Sequence, residues 1–97
     1  MRFEWDEAKN RSNFKKHRLK FETATLAFED PYAIHDLDRI VDHEERWRTL
    51  GNVSGAIVAV AHTWWENDNG EDVIRIISAR KATPGEGRVY EDDKRTS

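Results

Sequence analysis

The pattern of hydrophobic and polar residues predicts two helices at the start of the chain. Residues 7–16 are good helix formers without Gly or Pro, and Asp6 is suited to cap their N-terminus. A second, shorter helix is predicted over Glu22–Phe28, where alanine, leucine and phenylalanine give an apolar face. Pro31 ends it, because the residue before a proline disfavours the helical conformation. Tyr32–Asp36 then alternates as a short strand does.

The middle of the chain alternates with a period of two, which is typical of β-strands. Three strands are predicted, at Glu45–Val53, Ala56–Trp65 and Asp72–Arg80. The last two are joined by Asn67-Asp68-Asn69-Gly70, residues that adopt positive φ at little cost. These segments therefore predict an antiparallel meander.

A capping box begins the predicted C-terminal helix. Thr83 and Glu86 have its spacing, and Pro84 stands at the first helical position, where its missing N–H is not needed. The helix is expected to fray from about residue 92. Together the elements predict one α+β domain over residues 1–97. It would be a small antiparallel meander with N-terminal helices packed on one face and a C-terminal helix, all on the same side of the sheet.

Composition narrows the class of protein. The chain has 97 residues, 37% hydrophobic and 36% charged, so its core is small and its surface heavily charged. It has no cysteine, which excludes a disulfide framework, a zinc finger and thiol catalysis. No apolar run approaches the roughly 18–20 residues that span a membrane, and the N-terminus lacks an apolar signal segment. We expect a cytoplasmic protein with no membrane partner.

Charge is unevenly distributed along the chain, whose net charge is −3. Residues 1–20 carry seven cations and three anions, whereas residues 21–45 carry one cation and eight anions. A nucleic-acid ligand would therefore have to use a local cationic patch, since binding to phosphates depends on nearby cations rather than on total charge.

Strand alternation predicts which side chains share a face of the sheet. If each hairpin loop has an even number of residues, His62 lies opposite Arg75, and Glu45 shares their face. An imidazole and a carboxylate can move protons near neutral pH, and a guanidinium can stabilise a phosphate that gains charge. These are the parts needed for metal-independent RNA cleavage by the ribose 2′-hydroxyl. The opposite face is predicted to hold Arg46, Arg48 and Arg80, although one β-bulge would reverse an assignment.

The same residues also have structural interpretations. A lone histidine in a strand is most often a buried hydrogen-bonding residue, and Arg75 can pair with Glu45 across the sheet. Trp47 can belong to the core or to a partner-binding surface rather than stack on bases. A non-catalytic module whose sheet face docks a partner segment is therefore the second hypothesis.

Motifs for several other chemistries are absent from the sequence. There is no glycine-rich phosphate loop and no Gly-x-Ser-x-Gly element, so nucleotide-driven and serine-hydrolase chemistry are not expected. The acidic stretch 36–45 lacks the glycine of a calcium loop and paired histidine ligands. We expect no metal and no cofactor, and a metal-dependent hydrolase is only a third hypothesis.

Five blocks of the sequence resemble the BrnT toxin family. The opening Phe3-Glu4-Trp5-Asp6, with Lys9, Asn13 and Lys16-His17, is followed in order by Phe21-Glu22, Phe28-Glu29-Asp30-Pro31 and Glu44-Glu45-Arg46-Trp47. The most recognisable block is Ile74-Arg75-Ile76-Ile77-Ser78-Ala79-Arg80-Lys81-Ala82, followed by Tyr90-Glu91. The resemblance extends over nearly the whole chain.

This resemblance implies a RelE-like fold and a ribosome-independent endoribonuclease, the growth-inhibiting toxin of a type II toxin–antitoxin pair. It also implies a BrnA-like antitoxin with a ribbon–helix–helix DNA-binding domain, so that DNA is contacted mainly through the partner. With the residues suggested by geometry, the predicted catalytic set is Glu45, His62, Arg75 and Arg80. The predicted RNA-binding set, from matching family positions, is Arg46, Trp47, Lys81 and Lys16.

The sequence departs from the family pattern at two places. Arg18 stands where the family has glycine after Lys-His, so Arg18 must adopt the left-handed conformation that favours glycine, or the helix must end differently. After Ala82 the family is rich in arginine and glutamate, whereas residues 84–87 of this chain contain no cation. That loss lowers the attraction for phosphate.

Overall fold

The computed structural model describes all 97 residues and shows an α+β fold. It has five strands, three α-helices and one 3₁₀ turn. In chain order these are β1 (Arg2–Glu4), α1 (Glu7–His17), α2 (Phe21–Ala24), the 3₁₀ turn (Thr25–Glu29), β2 (Ile34–Val41), β3 (Glu44–Val53), β4 (Ala56–Glu66), β5 (Asp72–Lys81) and α3 (Pro84–Thr96).

The strands form one sheet in the order β1-β5-β4-β3-β2. Neighbours from β2 to β5 pair antiparallel, so the predicted meander is confirmed, and the short β1 adds to β5 in parallel. β1 was not predicted, and β2 is longer than the predicted strand at Tyr32–Asp36. Both are edge strands, whose polar residues give little hydrophobic alternation for a pattern to detect.

Helix α1 has the predicted cap but an unusual attachment. Asp6 accepts hydrogen bonds from the backbone N–H groups of Ala8 and Lys9. At the other end Arg18 adopts φ 57° and ψ 32°, the left-handed conformation expected where the family has glycine. The two buried residues of α1 are asparagines, Asn10 and Asn13, so α1 is attached mainly by polar contacts.

The sheet buries apolar residues on both faces. One cluster joins α2 and the 3₁₀ turn to the sheet; it contains Phe21, Ala24, Ala27, Val53, Val58, Val60, Ile74, Ile76 and Ala79. On β4 the intervening residue Ala59 instead packs with Leu50 and Tyr90, which comes from α3. Alternation along β4 therefore places α3 on the opposite face from α2, and the prediction of all helices on one side is wrong. Helix α3 also continues to Thr96, beyond the residue at which fraying was predicted.

The turn between β4 and β5 reverses part of the predicted facing. Near the turn His62 lies opposite Ile76, and Thr63 lies opposite Arg75, because five residues rather than an even number separate the paired Glu66 and Asp72. The predicted opposition of His62 and Arg75 is therefore wrong. The register shift at Ala61/His62 then keeps Arg80 on the face predicted for it, so that Arg75 and Arg80 share a face.

Candidate functional site

Four arginines lie on the sheet face that carries α3. Arg46 and Arg48 alternate with Trp47 on β3, and Arg80 pairs with Ala59 on β4. Arg75 lies on this same face, since its partner Thr63 is adjacent in β4 to His62 on the other face. We call this surface the arginine face; its residues are Arg46, Arg48, Arg75 and Arg80.

Two of these arginines converge on one carboxylate. Arg80 donates from Nη1 to Glu86 Oε1 at 2.6 Å and from Nη2 to Oε2 at 3.1 Å, while Arg48 Nη1 donates to Oε2 at 3.2 Å. Arg48 and Arg80 belong to β3 and β5, which β4 separates. On this face β4 presents the small side chains of Ala59 and Ala61, so the two long arginines can reach across it.

Helix α3 holds Glu86 in place between the arginines. Glu86 completes the predicted capping box: its N–H donates to the Thr83 hydroxyl, and its carboxylate accepts the Thr83 N–H. The hydrogen bond from Arg80, ahead of the other contacts, lowers the pKa of Glu86 to about 2, and the same bond raises the pKa of Arg80. The pair of guanidiniums is therefore a built site for an anion, which the chain's own carboxylate occupies.

The other two arginines do not contact Glu86. Arg75 is exposed and has no carboxylate within ion-pair distance, while Arg46 pairs with Glu44 at 3.1 Å. Along β5, at about 3.3 Å per residue, Arg75 stands roughly 13–17 Å from Arg80. Arg75 and Arg80 therefore suit different groups of one ligand rather than a single phosphate.

His62 lies away from the arginine face and is completely buried. Its Nδ1 is 3.1 Å from the Thr63 carbonyl, which can only accept, so Nδ1 carries the proton and Nε2 accepts from the Thr49 hydroxyl at 2.7 Å. That hydroxyl in turn accepts from Nδ1 of His35. Burial, above all, lowers the pKa of His62 to about 4. His62 is thus a neutral, hydrogen-bonded part of the core.

The sequence matches one family of known proteins. A model of that family, described as ribonuclease toxin BrnT of type II toxin–antitoxin systems, matches residues 5–86. The chain belongs to the BrnT toxin family. A search of curated proteins finds no match. Membership makes this BrnT chain a ribonuclease toxin at the level of the family, and it implies an antitoxin partner.

The BrnT structure has neither a membrane-spanning helix nor a cluster of metal-binding side chains. None of its helices combines the length and the apolar character needed to cross a bilayer. Its His, Asp and Glu side chains nowhere form a group of three or more that could hold a metal ion.

The remaining predicted residues lie apart from the arginine pair. Glu45 is exposed and alternates with Arg46, which directs it to the other side of β3. Trp47 shares the His62 face, with its ring 5.5 Å from that of Trp64. Lys81 is exposed at the end of β5, and Lys16 is exposed on α1. The structure therefore brings only Arg80 of the predicted set into the arginine pair, and roles for the other predicted residues stay predictions.

Sequence reasoning passed over two functional candidates. Strand alternation correctly predicts Arg48 on the same face as Arg80, but nothing local to β3 shows that Arg48 reaches Glu86. Glu86 was interpreted only as a capping residue. Its second role depends on α3 folding back over the sheet, which Tyr90 fixes by donating to Asp30 and packing on Leu50.

Proposed function

We propose that this BrnT toxin cleaves RNA at the arginine face without a metal ion. The observation that carries the proposal is the convergence of Arg48 and Arg80 on a single carboxylate, because a geometry that holds two carboxylate oxygens also fits two phosphate oxygens. Arg75 and Arg46, on the same face, would bind neighbouring phosphates. A phosphate that takes the place of Glu86 between the two guanidiniums would receive from them the neutralisation that a metal ion supplies in other nucleases.

The proposed reaction is an internal transesterification. The ribose 2′-oxygen attacks the adjacent phosphorus, the bond from phosphorus to the 5′-oxygen breaks, and a 2′,3′-cyclic phosphate and a 5′-hydroxyl remain. The 2′-hydroxyl proton passes to water, and water returns a proton to the leaving 5′-oxygen. Glu86, whose pKa is about 2, is too weak a base for neutral pH, and His62 is buried on the other face. The arginines therefore act by stabilising charge.

The cellular role follows from family membership and charge. We propose that RNA cleavage inhibits growth in the cytoplasm and that a BrnA-like antitoxin with a ribbon–helix–helix domain neutralises the toxin. DNA would be contacted through that antitoxin, which agrees with the net charge of −3 on the toxin.

Purified protein and single-stranded RNA in EDTA test the chemistry. The wild type should shorten the RNA and leave cyclic-phosphate ends. Arg48→Ala and Arg80→Ala should each lower the cleavage rate by about 100-fold or more, the scale of losing one transition-state donor. Arg95→Ala, an exposed arginine on α3, is the matched control and should cleave normally. Full activity of both face variants would refute the arginine assignment, and activity abolished by EDTA would revive the metal hypothesis.

A binding module without catalysis is the second candidate. Glu86 already neutralises Arg48 and Arg80 within the folded chain, which is also how a purely structural ion pair is built. In that case the RNA would stay intact at high protein concentration, while the purified antitoxin would still bind.

A further inference from the structure

Helix α1 and the turn after it carry the largest set of unpaired positive charges in the molecule. The cations are Lys9, Arg11, Lys15, Lys16, Arg18 and Lys20, all exposed. None of them has a carboxylate within 4.0 Å, whereas three of the four arginines of the arginine face do. Residues 7–20 have six cations and one anion, a net charge of +5. Because the whole chain has a net charge of −3, all the other residues together have a net charge of −8.

The acidic side chains near α1 accept hydrogen bonds from Trp5 and Asn10 and form no ion pair with the cations. Glu7 accepts from Trp5 Nε1 at 3.0 Å and from the Asn10 amide at 3.1 Å, and Glu22 accepts from the same amide at 2.9 Å. The helix dipole favours cations only in the last turn, so it accounts for Lys15 and Lys16 but not for Lys9 and Arg11 in the first half. The stability of α1 therefore does not explain the whole set.

Helix α1 lies at the sheet edge next to Arg80. Strand β1 pairs only with Val73–Arg75, so the outer edge of β5 beyond Arg75 has no neighbouring strand. The Asn13 side chain fills this place, donating to the Ala79 carbonyl at 2.8 Å and accepting from the Ala79 N–H at 3.1 Å. Arg80 is the next residue along β5, and the exposed Lys81 follows it. A polyanion held at Arg80 thus leaves the sheet directly beside α1.

The outer surface of α1 also offers a groove. It has a volume of about 690 Å³ and is lined by Arg11, Lys15 and Lys20, and also by the carboxylates of Glu7 and Glu22, which accept from the Asn10 amide. At the end of the groove Arg18 and Lys20 both lie over the Phe14 ring, at 5.6 and 5.5 Å from its centre. The helix is about 16 Å long, enough to follow several nucleotides of a single strand.

We propose that α1 is a second RNA-binding surface, which holds the part of a single-stranded substrate that extends past Arg80 around the edge of β5. The proposal rests on the proposed function for the identity of the ligand and adds the place where the flanking RNA lies. It also accounts for Arg18, which keeps a cation at a left-handed position where glycine would fold with less strain.

Binding can be measured apart from cleavage with a fluorescent 2′-O-methyl RNA of about 16 nucleotides, which lacks the attacking hydroxyl. The double variant Arg11→Gln/Lys15→Gln should bind it about 10-fold or more weakly at low salt. Its plot of log affinity against log salt should be shallower by about 1.4, the value for two lost phosphate contacts on a single strand. The control Lys94→Gln/Arg95→Gln removes two exposed cations from α3 and should leave the slope unchanged.

Arg18→Gly separates binding from folding. Glycine relieves the left-handed strain, so the melting temperature should rise by about 4 °C, while RNA affinity falls. If the melting temperature and the RNA affinity both fell, Arg18 would only support the helix, and this result would count against the proposal.

The length of the RNA distinguishes this proposal from the proposed function. Cleavage of a strand of about 4 nucleotides, which covers only the arginine face, should be the same in the α1 double variant and the wild type. If RNA is cleaved but α1 variants bind the longer RNA normally, the second surface is refuted and the nuclease stands. If the wild type never cleaves RNA but the α1 variants still bind it more weakly, the nuclease proposal is refuted and the second RNA-binding surface stands. Loss of antitoxin binding without loss of RNA binding would assign α1 to an acidic protein segment and refute the proposal.

Discussion

At the scale of single residues, the reach of an arginine side chain decides which arginines meet. Arg48 and Arg80 are separated by a whole strand, yet both contact Glu86, because Ala59 and Ala61 leave the space between them free. Arg75 is closer in sequence to Arg80 and shares its strand, but the length of that strand keeps the two apart. A phosphate-binding pair is thus formed across the sheet rather than along it.

His62 shows how burial changes what a titratable residue can do. A fully buried imidazole has to satisfy both ring nitrogens within the protein, and Thr49 and the Thr63 carbonyl do so for the neutral form. Protonating Nε2 would oppose the donor from Thr49. The residue that seemed best suited to proton transfer is therefore held in one protonation state.

The first prediction concerns acid stability. The folded pKa of His62, about 4, lies below the ordinary 6.5, so the unfolded state binds more protons between these values. The stability that the neutral, buried His62 contributes is therefore complete above pH 6.5 and is lost as the pH falls towards 4. Urea unfolding should show the free energy of unfolding decreasing by about 2 kcal/mol between pH 7 and pH 5. His62→Gln should be less stable at pH 7, but its free energy of unfolding should change less between pH 7 and pH 5. An equal slope in both proteins would contradict the assignment.

At the scale of the elements, α1 is attached by amide hydrogen bonds in place of an apolar stripe. Asn13 bonds to both backbone groups of Ala79 and donates to the Leu19 carbonyl as well. Asn10 accepts the N–H of Phe21, which begins α2. An asparagine amide presents one donor and one acceptor as a neighbouring strand does, so it can satisfy an exposed sheet edge.

The second prediction tests this attachment with Asn13→Asp. The carboxylate keeps the shape and can still accept from the Ala79 N–H, but it cannot donate to the two carbonyls. We expect a loss of about 3 kcal/mol in the free energy of unfolding at pH 7. Because a protonated carboxyl regains a donor, the difference from the wild type at the same pH should shrink in acid. Ser12→Ala, at an exposed position on α1, should change little. A loss that does not depend on pH would argue against the lost donor as the cause.

The third prediction concerns the contact between α3 and the sheet. In Glu86→Gln the charge between Arg48 and Arg80 disappears, while the capping interaction with Thr83 can persist. We expect stability to fall by about 1–3 kcal/mol and the affinity for RNA to rise, since Arg80 loses its carboxylate partner and Arg48 keeps only Asp36. Anisotropy with uncleavable RNA measures the affinity. Glu91→Gln makes the same charge change on an exposed part of α3, so equal effects of the two variants would mean that only net charge matters.

The fourth prediction compares two glycines. A Cβ on Gly51 would collide with the backbone of Ala27 in the 3₁₀ turn, whose Cα would be 2.9 Å away, and backbone cannot move aside as a side chain does. A Cβ on Gly87 meets nothing within 4 Å, and Gly87 lies inside α3. Thermal or urea unfolding should show Gly51→Ala destabilised by about 3 kcal/mol or more and Gly87→Ala stabilised by about 0.5–1 kcal/mol. Similar values for both would contradict the close approach.

At the scale of the whole molecule, charge is separated across the sheet. The cationic helix α1 lies beside β5, next to the edge strand β1, while the other edge strand, β2, begins the acidic segment 36–45. A molecule with a net charge of −3 can therefore still attract RNA to one side and direct it away from the other. The proposed substrate path therefore runs from α1 to Arg80 on β5, whereas Arg46 and Arg48 on β3 lie next to the acidic segment and pair with Glu44 and Asp36.

Much of the fold could be predicted because it depends on which residues are neighbours in the chain. The alternation of β3, β4 and β5, the turn at Asn67–Gly70 and the caps at Asp6 and Thr83 are each properties of a few neighbouring residues. β1 could not be predicted in this way. It has three residues and forms a strand only because β5 offers it an edge.

The sequence by itself determined β3, β4, β5 and the capped helices, the concentration of positive charge near α1 and the membership of a toxin family, since each depends on the order of neighbouring residues. Tertiary structure alone decided which side chains face one another. The five-residue loop between Glu66 and Asp72 and the bulge at Ala61/His62 together put Arg75 on the face of Arg80 rather than that of His62, and the fold of α3 brought Glu86 between Arg48 and Arg80. The physical reason is that a face of a sheet depends on the count of residues across strands, and a long-range ion pair depends on how helices pack, neither of which local pattern contains.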